Sequence, residues 1–111
     1  MYLVTQRTID HFAQQHPETA QALANWSAMV KAARWTSGEH LLASTSGRTR
    51  MLHSGRVLFN IKGNHVRVVC DVQFAAPPEY NGILRVQFIG THDEYDRTNA
   101  KTVTLSTSHH K

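Results

Sequence analysis

The sequence predicts a single α+β domain: two N-terminal helices followed by a small antiparallel sheet. Three observations carry this. Apolar residues recur at helical spacing on both sides of Pro17. From Val57 onward they alternate with polar residues, the period of a half-buried strand. Between two of the alternating runs lies Gly63-Asn64, a two-residue hairpin signal. A length of 111 residues suits one domain with one modest core. Its expected span is 1–105, with a poorly ordered tail at 106–111.

Tyr2–Thr5 is a short apolar run with the character of a strand. Ile9, Phe12 and Ala13 are spaced for the buried face of a first helix. That helix should stop near His16, because the ring of Pro17 disfavours α geometry in the residue before it. Pro17 in turn suits the first turn of a second helix. Its stripe is Ala20, Leu23, Ala24, Ser27 and Val30, with Trp26 and Met29 alongside, and it ends between Ala33 and Thr36. The two tryptophans, Trp26 and Trp35, read as core or rim. Ser37–Ser54 is rich in Ser, Thr, Gly and Arg and reads as a long loop.

The hairpin is the most specific structural expectation. With Gly63-Asn64 as the turn, Lys62 faces His65, Ile61 faces Val66, and Asn60 faces Arg67. Phe59 then faces Val68, Val57 faces Cys70, and Arg56 faces Asp71. One face of the pair is apolar. The other is mostly polar and holds Arg56, Asn60, Lys62, His65, Arg67 and Asp71. A slip of one residue would destroy the match, so the register is well specified. After the loop Ala75–Gly82, Ile83–Thr91 is a further strand. Strict alternation puts Leu84, Val86 and Phe88 in the core, and Arg85, Gln87 and Ile89 on the polar face.

Charge narrows the function classes. The formal net charge is +4. Charges before residue 40 cancel, yet His40–Cys70 has no Asp or Glu and carries Arg48, Arg50, Arg56, Lys62 and Arg67. Such a block is either a solvated basic face or the footprint of a polyanion binder. No apolar run approaches the ~18 residues of a membrane span. The N-terminus lacks the basic and apolar regions of a signal peptide. The lone Cys70 allows no internal disulfide, so a cytoplasmic location and no membrane are expected. Eight histidines show no metal-ligand spacing beyond the adjacent His109-His110, so no metal or other cofactor is expected.

The candidate constellation is therefore cationic. Lys62, Arg67 and Arg85 should converge on the polar face, with His92 and Tyr95 contributed by the segment after the last strand. Cations, a His and a Tyr suit cleavage of RNA by its own 2′-hydroxyl. A base takes the hydroxyl proton, cations stabilise the pentacoordinate phosphate, and an acid protonates the leaving oxygen. Flanking arginines should lower the pKa of Lys62 and make it usable in proton transfer. Taken singly, each residue has a plainer role. Arg56 pairs with Asp71, His65 is an exposed strand residue, His92 caps the chain after the strand, and Tyr95 fills the core.

Two motifs resemble a known family. Val57-Leu58-Phe59-Asn60-Ile61-Lys62-Gly63-Asn64-His65-Val66-Arg67-Val68-Val69 is one, and Phe88-Ile89-Gly90-Thr91-His92-Asp93-Glu94-Tyr95-Asp96 is the other. In this order and spacing they resemble the HigB-type toxins of bacterial type II toxin–antitoxin systems, related in fold to RelE. Thr8-Ile9-Asp10-His11-Phe12, His16-Pro17 and Trp26 are similar too, and the likeness covers about residues 1–103. The Thr45–Ser54 segment departs from it in being more basic.

The resemblance implies a RelE-like α+β fold, with two helices on one face of a small antiparallel sheet. It implies a metal-independent mRNA endoribonuclease acting on translated mRNA at the ribosome. It also implies a cognate helix-turn-helix antitoxin, through which alone the toxin would reach operator DNA. Lys62, Arg67, His92 and Tyr95 become the catalytic candidates, and Arg56, Asn60, His65 and Arg85 the RNA-binding ones. Arg85 rests on geometry rather than on a motif. Two other readings fit the same face: a non-catalytic RNA- or ribosome-binding module, and an interaction domain whose basic groove takes an acidic peptide.

Overall fold

A computed structural model of the chain describes residues 1–45, 48–52, 55–61 and 65–97. The order is β1 (Tyr2–Val4), α1 (Gln6–Gln15), a 3-10 turn (Pro17–Thr19), α2 (Ala20–Ala32), α3 (Gly38–Ser44), β2 (Thr49–Met51), β3 (Val57–Ile61), β4 (Val66–Gln73), β5 (Ile83–Thr91) and α4 (His92–Asp96). The five strands form one sheet in the order β1-β5-β4-β3-β2.

Pro17 acts as expected. It ends α1 at Gln15 and opens the 3-10 turn that leads into α2. α1 buries Ile9 and Phe12, and α2 buries Leu23, Trp26, Ser27 and Val30. Both lie on the face of the sheet formed by Val57, Phe59, Ile61, Val66, Val68, Cys70, Leu84 and Val86. Trp26 meets Phe59 edge-on with ring centroids 5.2 Å apart, and Trp35 lies 6.3 Å from the same ring. Both tryptophans are core residues. Ala20 and Ala24 of the expected stripe are exposed instead, because the larger side chains fill the space against the sheet.

The β3–β4 register is as the sequence predicts: Val57↔Cys70, Phe59↔Val68, Asn60↔Arg67 and Ile61↔Val66. The pair Lys62–His65 and the Gly63-Asn64 turn fall outside the described residues, apart from His65. So do the tail and the expected boundary at residue 105.

Three expectations change. The sheet is mixed, not antiparallel throughout, because β1 lies parallel to β5 in the register Leu3↔Leu84. β5 has a free edge on the side away from β4, and pairing there buries Leu3 and Met1 against the main core. The Met1 amino group then donates to the carbonyls of Val30, Lys31 and Ala33 at the end of α2.

Ser37–Ser54 is not one loop, and the helices number more than two. Ser37 accepts a hydrogen bond from the His40 backbone N–H and caps α3, which buries Leu41. Thr49–Met51 then pairs with β3 as an edge strand. The third change is in β5. A bulge at Val69/Cys70 sets Val69 opposite Phe88 but Cys70 opposite Val86. One extra residue inverts the alternation beyond it. Phe88 therefore leaves the main core, and Ile89 packs towards it.

Candidate functional site

The bulge shapes the second face of the sheet. Leu58 on β3, Val69 on β4 and Phe88 on β5 form a small buried cluster there, with Leu52 and Tyr95 packed against it. The face is thus not a continuous polar surface. It has an apolar middle with polar groups at either end.

At one end lies Arg67, opposite Gly90. Its guanidinium carbon stands 5.0 Å from the centre of the Tyr95 ring, a cation–π arrangement. Tyr95 in turn packs on Phe88, with ring centroids 6.2 Å apart. Among the described residues Arg67 has no carboxylate partner, and its Nε is buried without a hydrogen-bond acceptor. Asn60 faces Arg67 across the strands, and its Oδ1 is likewise buried and unpartnered among the described residues. A positioned cation with unspent donors, beside a phenol, is suited to an oxyanion.

α4 positions Tyr95. Thr91 Oγ1 caps it by accepting from the Glu94 N–H, and Glu94 Oε1 accepts from the Thr91 N–H at 2.8 Å, completing a capping box. Thr91-x-x-Glu94 is visible in the sequence as this signal. Gly90 is needed just before it. A Cβ there would come 2.6 Å from the Phe88 ring and 2.8 Å from Glu94 Oε1. His92 opens α4 and is turned to the end of the sheet, where its Nε2 lies 3.3 Å from Asp96 Oδ2. His65 and His92 both border a cleft of about 280 Å³ whose other wall comes from the end of α1 and the 3-10 turn.

At the opposite end of the face Asp71 accepts from Arg56 Nε at 2.8 Å and from Gln87 Nε2 at 2.9 Å. The plainer reading of Arg56 therefore holds, since its charge is engaged by Asp71. Arg85 pairs in register with Asp71, four residues along β4 from Arg67, about 13 Å at the rise of a strand. The expected convergence of Arg67 and Arg85 does not occur. They share a face but are separated by the Leu58–Val69–Phe88 cluster. Arg85 is exposed at the far end. Lys62 lies outside the described residues. The structure thus brings Arg67, Tyr95 and Asn60 together, sets His92 and His65 around the end of the sheet, and leaves Arg56 and Arg85 apart.

Cys70 is buried in the main core, and burial pushes its thiol well above the ordinary 9.0, with Asp71 adding to the shift. It is a packing residue and not a nucleophile. No three His, Cys, Asp or Glu side chains among the described residues are grouped to hold a metal ion. No helix among them is long and apolar enough to cross a membrane.

A mixed five-stranded sheet with helices on one face, and a cation–aromatic patch with a short helix at the other, defines a RelE-like α+β fold. Residues 19–98 match the family model HigB_toxin, the RelE-like toxic component of a toxin–antitoxin system. The chain belongs to this family. It is a toxin component, and membership implies a cognate antitoxin as its partner. A comparison with individually curated proteins finds none that matches.

Proposed function

We propose that this toxin is an mRNA endoribonuclease that cleaves by attack of the 2′-hydroxyl. The observation that carries the reading is Arg67, held on the Tyr95 ring with donors that no described carboxylate consumes. A base removes the 2′-hydroxyl proton and the oxygen attacks the adjacent phosphorus. Arg67 stabilises the extra charge of the pentacoordinate phosphate. The bond to the 5′-oxygen breaks, and an acid protonates that oxygen. The products are a 2′,3′-cyclic phosphate and a 5′-hydroxyl.

Lys62, His92 and Tyr95 are the candidates for the two proton transfers, which no metal is needed to perform. Asn60 and His65 contact the nucleotides around the scissile bond. Arg85, and more weakly the paired Arg56, contact the RNA backbone farther along. Because the described site is an open face rather than a closed pocket, we place the reaction on mRNA held by the translating ribosome, in the cytoplasm. The neutralising partner in this reading is a helix-turn-helix antitoxin, which alone links the toxin to operator DNA.

The test is to add purified toxin to a translating extract and map new mRNA 5′ ends. Wild type should create discrete ends bearing 5′-hydroxyls, and Arg67→Ala should lower their rate of formation by about 10²–10³. Translation blocked without any new ends would instead support the non-catalytic ribosome-binding reading and refute this one.

A further inference from the structure

We infer that the cleft at the end of the sheet is the proton-transfer end of the site, with His16 as a second catalytic histidine facing His92. The inference rests on the ribonuclease reading and deepens it. Phe12, His16, Glu18 and Thr19 form one wall, and His65, Val66, Thr91, His92 and Asp93 supply the other. His16 lies before the span that matches the family model, and though His16-Pro17 shares in the resemblance, no site role is expected of it from the sequence.

Its placement is unusually fixed for a surface histidine. The backbone N–H donates to the Phe12 carbonyl and closes α1, while the carbonyl accepts from the Thr19 N–H and from Thr19 Oγ1 at 2.7 Å. Its ring stacks on Phe12 at 4.3 Å with an interplanar angle of 24°. Its Nδ1 is on the side of Glu18, 3.9 Å from Oε2. His92 mirrors this, with Nε2 towards Asp96 and Nδ1 left over. Two imidazoles, His16 held by its stack on Phe12 and His92 beside the Asp96 carboxylate, line a cleft of about 280 Å³. Cleavage by a 2′-hydroxyl needs one group to accept a proton and one to donate it, and imidazole does either near neutral pH.

The charges around the cleft say which part of the RNA enters. Glu18, Asp93 and Asp96 surround the three histidines His16, His65 and His92. Those carboxylates disfavour a free anion. The phosphate belongs with Arg67, and the cleft takes the two oxygens that exchange protons, the ribose 2′-hydroxyl towards one histidine and the leaving 5′-oxygen towards the other. α4 joins the two halves, because Tyr95 packs on Arg67 while His92, one turn earlier, borders the cleft.

The experiment is single-turnover cleavage of ribosome-bound mRNA from about pH 5 to 9 by wild type, His16→Gln, His92→Gln and the double variant. Either single change should slow cleavage by about 10²–10⁴ and abolish one limb of the bell-shaped profile. Binding to programmed ribosomes should change by less than about twofold, since these groups act in the transition state. The double variant should lose little more than either single one. A thermal melt and antitoxin binding check folding, and His16→Asn is the second variant should His16→Gln unfold. A folded His16 variant with both limbs intact and a rate within about threefold of wild type overturns the inference while leaving the ribonuclease reading standing. Failure of wild type itself to cleave would sink both.

Discussion

Gly90→Ala is the most direct test of how the second face is built. Gly90 lies in ordinary extended strand, so the added methyl meets a steric cost and no backbone strain. Built on the present backbone it comes 2.6 Å from Phe88 Cζ and 2.8 Å from Glu94 Oε1. Both neighbours must move. Phe88 is held by Leu58, Val69 and Tyr95, and forcing a packed ring aside costs about 1–3 kcal/mol. Glu94 would lose its bond to the Thr91 N–H, and half a capping box is worth about 0.5–1 kcal/mol. The sum is about 1.5–4 kcal/mol, a large part of the ~5–15 kcal/mol that holds a domain together. Urea denaturation should show a lower midpoint with an unchanged slope. Thr91→Ala, which removes only the cap, should cost about 1 kcal/mol. Since α4 carries both His92 and Tyr95, cleavage by Gly90→Ala should fall further than its unfolded fraction explains. A Gly90→Ala protein within about 0.5 kcal/mol of wild type would refute the packing described for Phe88 and α4.

Arg67→Lys keeps the charge but loses the planar guanidinium on Tyr95, and mapped 5′ ends should form at least about tenfold more slowly than in wild type. Asp71→Ala removes the acceptor of both Arg56 and Gln87, and denaturation should show a loss of about 1–2 kcal/mol with growth arrest preserved. Gly82→Ala should be the harsher glycine change. Its φ is +84°, and a Cβ would sit 2.7 Å from the Gln73 carbonyl, so urea denaturation should show a stability loss of about 2–5 kcal/mol. Cys70 predicts a pH effect. Its folded thiol keeps its proton above the ordinary 9.0, whereas the unfolded thiol loses it there. Stability contributed by Cys70 is unchanged below that value and falls above it by up to about 1.4 kcal/mol per pH unit. Cys70→Val should flatten that part of the stability–pH curve, and an unaltered slope would show that the thiol is not protected.

Local alternation made much of the fold legible. The β3–β4 register could be counted outwards from Gly63-Asn64 because every pair from Ile61↔Val66 to Val57↔Cys70 keeps apolar with apolar. Pro17 marked the end of α1, because its ring disfavours α geometry in the residue before it. α3 was missed because its only strong signals are the Ser37 cap and Leu41-Leu42, submerged in residues that usually form loops. The parallel pairing of β1 was missed because a three-residue strand carries no record of its partner's direction.

Residue order alone therefore suffices for the elements with a strong period and for the inventory of cations, histidines and Tyr95 available to a site. How that inventory is divided depends on packing in three dimensions. A bulge adds one residue without any change of composition, yet it turns Phe88 to the second face and gives Tyr95 a surface to rest on, while four residues of register keep Arg85 away from Arg67. Side-chain period reports which residues share a face along one strand. Which groups come within reach depends on register shifts and on α4 crossing the sheet's end, and these arise from packing between segments distant in the chain.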